Sequence, residues 1–146
     1  METGQTTYSI KQVSELTGLT APTLRYYESV GVSPAITRDE SSGHRVYSAD
    51  DVELLGWIAC LAATGMGIAE MRQYVANGKD HIHNAALQIE LLQKHDAVLE
   101  ADLKRLSLRR DYLALKIRYW QAVEAGDKEL ARHLAQEAIS LAQQFR

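Results

Sequence analysis

Apolar positions along this chain form a succession of helical stripes separated by short polar breaks. Ile10, Val13 and Leu16 stand three apart and predict a first helix, with Val13 and Leu16 facing inward and Lys11 outward. Thr17-Gly18-Leu19-Thr20 interrupts it. A second helix is predicted from Ala21 to Val30, ended by Gly31. Thr20 suits its N-cap, and Pro22 fits a first turn that has no intrahelical use for the missing N–H. Leu24 and Tyr27 share one face and should pack on the first helix, which turns Thr23 and Arg25 elsewhere. Ile36-Thr37-Arg38 and His44-Arg45-Val46-Tyr47, joined by the polar turn 39–43, read as a small β-hairpin. Ser48 then caps a third helix with the core stripe Val52, Leu55, Ile58, Ala59 and Ala62. After Gly65-Met66-Gly67 a fourth helix carries Ile68, Met71, Tyr74 and Val75, and Asn77-Gly78 should end it in a left-handed residue. Residues 1–7 are polar, and disorder is expected at their start.

A long helix is predicted to begin near Asp80 or His81. From Ile89 onward the apolar spacing alternates between three and four: Ile89, Leu92, Leu99, Leu103, Leu106, Leu113, Ile117 and Trp120, with Asp96 and Arg110 at the two seam positions that lack an apolar residue. Such heptad spacing predicts a two-stranded coiled coil. A parallel pair sets Asp96 against Asp96 and Arg110 against Arg110. An antiparallel pair brings Asp96 of one chain near Arg110 of the other, so the sign of the Coulomb term selects antiparallel dimerisation. Gly126 breaks the helix, and Asp127 can cap a last amphipathic helix carrying Leu130, Leu134, Ala138, Leu141 and Phe145. The organisation expected is mainly α: a winged helix-turn-helix DNA-binding domain over 1–78, a long antiparallel coiled-coil dimerisation helix over 79–125, and a short C-terminal helix over 126–146.

Two short helices around a glycine-containing turn, followed by a hairpin, form the winged helix-turn-helix pattern, whose second helix lies in the DNA major groove. The ordered set Leu24-Arg25-Tyr26-Tyr27-Glu28, Gly31, Pro34, Arg38, Gly43, Arg45, Tyr47 and the Asp51/Leu55 pair resembles the MerR family of bacterial transcription regulators. The resemblance is close over residues 8–78 and architectural beyond them. It implies that Arg25 contacts DNA and that the wing with His44 and Arg45 reaches a phosphate or the minor groove. It also implies an antiparallel homodimer on a palindromic promoter operator, and a change of DNA shape that lets RNA polymerase engage. The residues themselves leave other roles open: Tyr26 as a packing residue, Arg25 in an ion pair with Glu28, Arg45 as an ordinary solvated side chain.

Charge complicates this picture. The chain carries a net charge of −3. Residues 1–78 hold five Lys/Arg against nine Asp/Glu, a net of −4, while residues 79–146 hold eleven against ten. DNA binding must therefore rest on locally placed groups: Lys11, Thr23, Arg25, Tyr26, Arg38, His44 and Arg45, with helix N-terminal N–H groups. No apolar run approaches the roughly 18 residues of a membrane span. The N-terminus lacks a signal-peptide core, so a cytoplasmic protein is expected.

A single cysteine, Cys60, excludes a disulfide framework and any multi-thiolate metal site within one chain. His81 and His83, two apart, make a poor chelating pair on a helix, so neither a metal nor another cofactor is expected. A lone cysteine is most often a small buried hydrophobe. On the wheel of its helix, however, Cys60 lies opposite the core stripe, near Glu53, Trp57 and Thr64. The context 58–66, and the tail Lys116-Ile117-Arg118-Tyr119-Trp120, resemble the thiol-based branch of the family, whose members respond to aldehydes, electrophiles or nitrosative stress. Against this, no Lys or Arg lies within one helical turn to favour the thiolate. A reversible effector bound between coiled coil and C-terminal helix is the alternative. An enzyme is not expected: there is no CxxC, no histidine near Cys60 in sequence and no nucleotide-binding glycine motif. A coiled-coil adaptor without DNA binding is the remaining rival.

Overall fold

The computed structural model describes residues 4–146, so the polar stretch at the very start of the chain falls outside the described residues. By its internal contacts the chain divides into two units, with the boundary between Leu92 and Gln93.

The first unit begins with a strand that the polar pattern conceals. β1 (Thr7–Tyr8) pairs antiparallel with β3 (Arg45–Ser48), which also pairs with β2 (Thr37–Arg38), so the expected hairpin is the larger part of a three-stranded sheet in the order β1-β3-β2. Tyr8 stands opposite Tyr47, Thr37 opposite Val46, and Arg38 opposite Arg45. Helix α1 (Ile10–Thr17) starts on a capping box in which Ser9 and Gln12 satisfy each other's backbone N–H, and it stops at Gly18, φ +76°. α2 (Ala21–Ser29) is capped by Thr20 with Pro22 in its first turn. α3 (Ala49–Ala63) starts on a second capping box, Ser48 with Asp51. α4 (Ile68–Gly78) follows a turn in which Gly65 takes φ +83°.

Val13, Leu24, Tyr27, Val32, Tyr47, Leu55, Ile58 and Met71 form the core of this unit: α1 and α3 pack on the sheet, α2 on α1 and α4 on α3. Two expectations fail here. Leu16 is 62% exposed: α1 has only two turns, and Val13, with Ile10 partly buried beside it, supplies its inward face. α4 does end at Gly78, but not through a left-handed residue: Gly78 has no positive φ, and tight turns follow, closed by the N–H groups of Lys79 and Asp80 on the carbonyls of Ala76 and Asn77.

α5 (Ala85–Glu124) is 40 residues long and starts later than the sequence pattern indicates, because residues 79–84 are taken up by those turns. At 1.5 Å per residue it spans about 60 Å. The second unit holds most of it together with α6 (Lys128–Ala142), capped by Asp127, whose carboxylate accepts from the Leu130 N–H. Gly126 at φ +75° makes the reversal. α6 folds back on α5: Leu134 and Ala131 pack with Ala122, Leu115 and Tyr119, and Phe145 meets Tyr112 edge-on at 5.6 Å. Leu130, placed inward by the sequence pattern, is half-exposed; the small Ala131 takes the buried position against Ala122.

Candidate nucleic-acid interface

Helix α2 is split lengthwise by burial. Leu24 and Tyr27 are held in the core, while Arg25 and Tyr26 stand out in solvent on the other face, Tyr26 half-exposed and its ring 6.4 Å from that of Tyr27. Tyr27 is therefore a core residue, and Tyr26 is not. Thr23 is partly buried, and its hydroxyl accepts from Thr20 Oγ1 at 2.8 Å, which ties it to the cap. The N-terminal half of α2 thus combines a rigid cap with an exposed cation, Arg25. Lys11 is exposed on α1.

Glu28 joins α2 to the wing. Its carboxylate accepts from Arg45 Nε at 3.0 Å, with both side chains more than four-fifths buried, and its second oxygen lies 3.4 Å from the Ile36 N–H. The Arg25–Glu28 pair considered from spacing does not form; Glu28 is engaged seventeen residues away instead. Arg45 faces Arg38 directly across the β2–β3 pair, where like charges repel. Glu28 offsets that repulsion. Arg45 accordingly sits in the strand at the base of the wing, whereas the tip is formed by residues 39–43, with His44 exposed beside it.

The tip is built around Asp39. One carboxylate oxygen accepts from the N–H and hydroxyl of both Ser41 and Ser42, and these bonds hold the Asp39 pKa down to about 2. Gly43, φ +73°, closes the loop on the Asp39 carbonyl, and Arg38 Nη1 donates to the Gly43 carbonyl at 3.1 Å. A cluster of Asp and Ser in a turn signals this arrangement in sequence. Two further residues escape sequence reasoning. Arg72, on α4, caps α2 by donating to the Val30 carbonyl at 3.2 Å. Tyr47 is 1% exposed, and its hydroxyl has no hydrogen-bond partner among the described residues; burial pushes its pKa up, with Arg45 opposing.

Away from this face, Cys60 is exposed on α3, one turn from Trp57, which is 58% exposed. His83 Nδ1 sits 2.9 Å from both oxygens of Asp80, so that histidine pairs locally, and no group of three or more metal-ligating side chains occurs among the described residues. On α5, Ile89, Leu92, Leu99, Leu103, Leu106, Leu113, Ile117 and Trp120 are all exposed along one stripe, as are Asp96 and Arg110. Among the described residues no helix is long and apolar enough to cross a membrane.

Comparison with known proteins converges on this architecture. Residues 8–78 match the family model of the MerR helix-turn-helix regulatory proteins. A Bacillus subtilis protein described as an uncharacterized helix-turn-helix transcriptional regulator, YyaN, is 31% identical over 111 residues, covering 68% of this chain and 80% of its own. A crystal structure of a MerR-family transcriptional regulator from Listeria monocytogenes superimposes with a TM-score of 0.67 at 28% identity, over 89% of this chain and 98% of that one. HiNmlR, described as a MerR-family regulator lacking the sensor domain and bound to promoter DNA, superimposes with a TM-score of 0.59 at 26% identity, over 82% and 94% of the two chains.

Proposed function

This chain belongs to the MerR family of helix-turn-helix regulatory proteins, which are regulators and not enzymes, and we propose that it grips a palindromic promoter operator as a homodimer and distorts the DNA so that RNA polymerase can engage. The observation that carries the reading is the split of α2: Arg25 and Tyr26 are solvent-facing on a helix whose other face is locked into the core. Arg25 and Tyr26 face the DNA, Lys11, Arg38 and His44 supply phosphate contacts, Thr23 fixes the start of the helix, and Arg45 holds the wing on α2. HiNmlR, similar over most of its length, is bound to promoter DNA. The exposed stripe on α5 supports the dimer, since so many large apolar side chains on one helix call for a partner. Such a regulator works in the cytoplasm, where the promoter is. In a gel shift with the DNA upstream of its own gene, Arg25→Ala should weaken binding by about tenfold or more, the worth of a charge-assisted contact. Unchanged affinity in a folded protein sinks the assignment of Arg25.

Cys60 is exposed on the outer flank of α3, where an aldehyde or other electrophile can reach it, and we infer that its modification switches the promoter. A second reading has its own observation: a groove of about 390 Å³ between α5 and α6, lined by Tyr112, Lys116, Tyr119, Trp120 and Arg146 among others, suits a reversible ligand. In vitro transcription with wild type and Cys60→Ser, each with and without an aldehyde or thiol oxidant, separates them. A response in wild type alone makes Cys60 the sensor. Equal responses, or none, exclude Cys60 for these signals and favour the groove.

A further inference from the structure

The link between α4 and the start of α5 is held by side-chain amides. Asn77, 5% exposed, donates from Nδ2 to Gln88 Oε1 at 3.1 Å, and its Oδ1 accepts from Gln73 Nε2 at 2.7 Å. Gln88 Nε2 donates onward to the Tyr74 carbonyl at 2.8 Å. Asn84 Nδ2 donates to the Asn77 carbonyl at 3.1 Å, in the last turn of α4, where carbonyls run out of intrahelical donors. The intervening His81, Ile82 and His83 are exposed, and His83 pairs only with the neighbouring Asp80 among the described residues. All of these residues lie within the first unit.

Apolar side chains in contact can slide past one another, whereas hydrogen bonds weaken steeply when their angles change. A closed amide set therefore fixes direction as well as proximity. Direction matters because α5 is long. A change of about 5° in a straight helix of this length moves its far end by about 5 Å. One base pair rises by roughly 3.4 Å.

We propose that Asn77 and Gln88 are positioning residues that set the direction in which α5 leaves the DNA reader, and so the separation of the two half-sites that the dimer accepts. The inference rests on the dimeric, palindrome-reading function above. Asn77 and Gln88 touch no DNA in this account; they act through the helix.

The test begins by selecting the preferred inverted repeat from a random duplex pool with wild-type protein. That repeat is then remade with one or two base pairs added or removed at its centre. Wild type should lose about tenfold in affinity, or about 1.4 kcal/mol, per base pair of change. Gln88→Glu keeps the acceptor for Asn77 but removes the donor to the Tyr74 carbonyl and sets a carboxylate against it. It should shift the optimum by a base pair or flatten the profile to about threefold or less, while affinity for a single half-site duplex stays at the wild-type value. Asn77→Ala should act in the same direction. If both variants keep the wild-type optimum and sharpness, the proposal is overturned. An equal loss at every spacing, with weaker half-site binding, overturns it too, because that is the signature of a damaged reader. Should wild type itself select no inverted repeat, the dimeric reading fails, a result distinct from either of these.

Discussion

Removing Glu28 should loosen the wing as well as delete a charge. Glu28 and Arg45 meet at 3.0 Å with side chains 16% and 18% exposed. At an effective dielectric near 20, two charges about 4 Å apart attract by about 4 kcal/mol, and the cost of desolvating both reduces the net value. Glu28→Ala leaves Arg45 mostly buried without its carboxylate and directly opposite Arg38, where like charges repel. The loss of stability should be about 2 kcal/mol. Arg45→Ala should cost a similar amount by stranding Glu28, and the double variant should cost less than the sum by about 1–2 kcal/mol. Urea denaturation of the four proteins measures this coupling. Operator binding should fall in Glu28→Ala even though an acidic group has left the DNA-facing unit, because the wing no longer holds its place on α2. A coupling below about 0.5 kcal/mol, or tighter operator binding in Glu28→Ala, refutes the reasoning and returns Arg45 to a simple phosphate contact.

Other outcomes follow from particular positions. Gly78→Ala should stabilise by about 0.5–1 kcal/mol, since Gly78 is helical and an added Cβ meets nothing closer than Gln88 Nε2 at 4.0 Å; Gly126→Ala, at φ +75°, should destabilise by about 1 kcal/mol, and thermal melts compare the two. Tyr47→Phe should keep or raise stability, by up to about 1 kcal/mol, because it removes a buried hydroxyl with no partner among the described residues; a loss of similar size in chemical denaturation argues against this. Asp39 has a folded pKa lowered from 3.8 to about 2, so its contribution to wing-tip order is complete above its ordinary value and is lost as pH falls through about 2; the amide signals of Ser41 and Ser42 in an NMR titration should hold their positions to about pH 3 and collapse below. In the coiled coil, Arg110→Asp should weaken the dimer, and adding Asp96→Arg should restore it by sedimentation, since an antiparallel pair brings these positions together.

Much of this architecture is legible in the chain because local signals agree with tertiary ones. Thr20, Ser48 and Asp127 each cap the helix that follows, and the seam from Ile89 to Trp120 lies on one continuous helix. β1 escaped because a two-residue strand has no periodicity to read. Leu16 and Leu130 depart from the pattern for a common reason: spacing predicts a face, but burial depends on what approaches that face. The site divides in the same way. The exposure of Arg25 and Tyr26 follows from the burial of Leu24 and Tyr27, which spacing reveals. The engagement of Glu28 by Arg45 joins residues seventeen apart, on a helix and a strand, and only the folded unit brings them together.

The most direct test of the central claim is a footprint on the upstream promoter, combined with the mass of the protein–DNA complex by sedimentation. Two chains per duplex, protecting two half-sites related by a dyad, with protection lost in Arg25→Ala, is the predicted result. One chain per duplex, or no protected site at all, contradicts a dimer that reads a palindrome through α2.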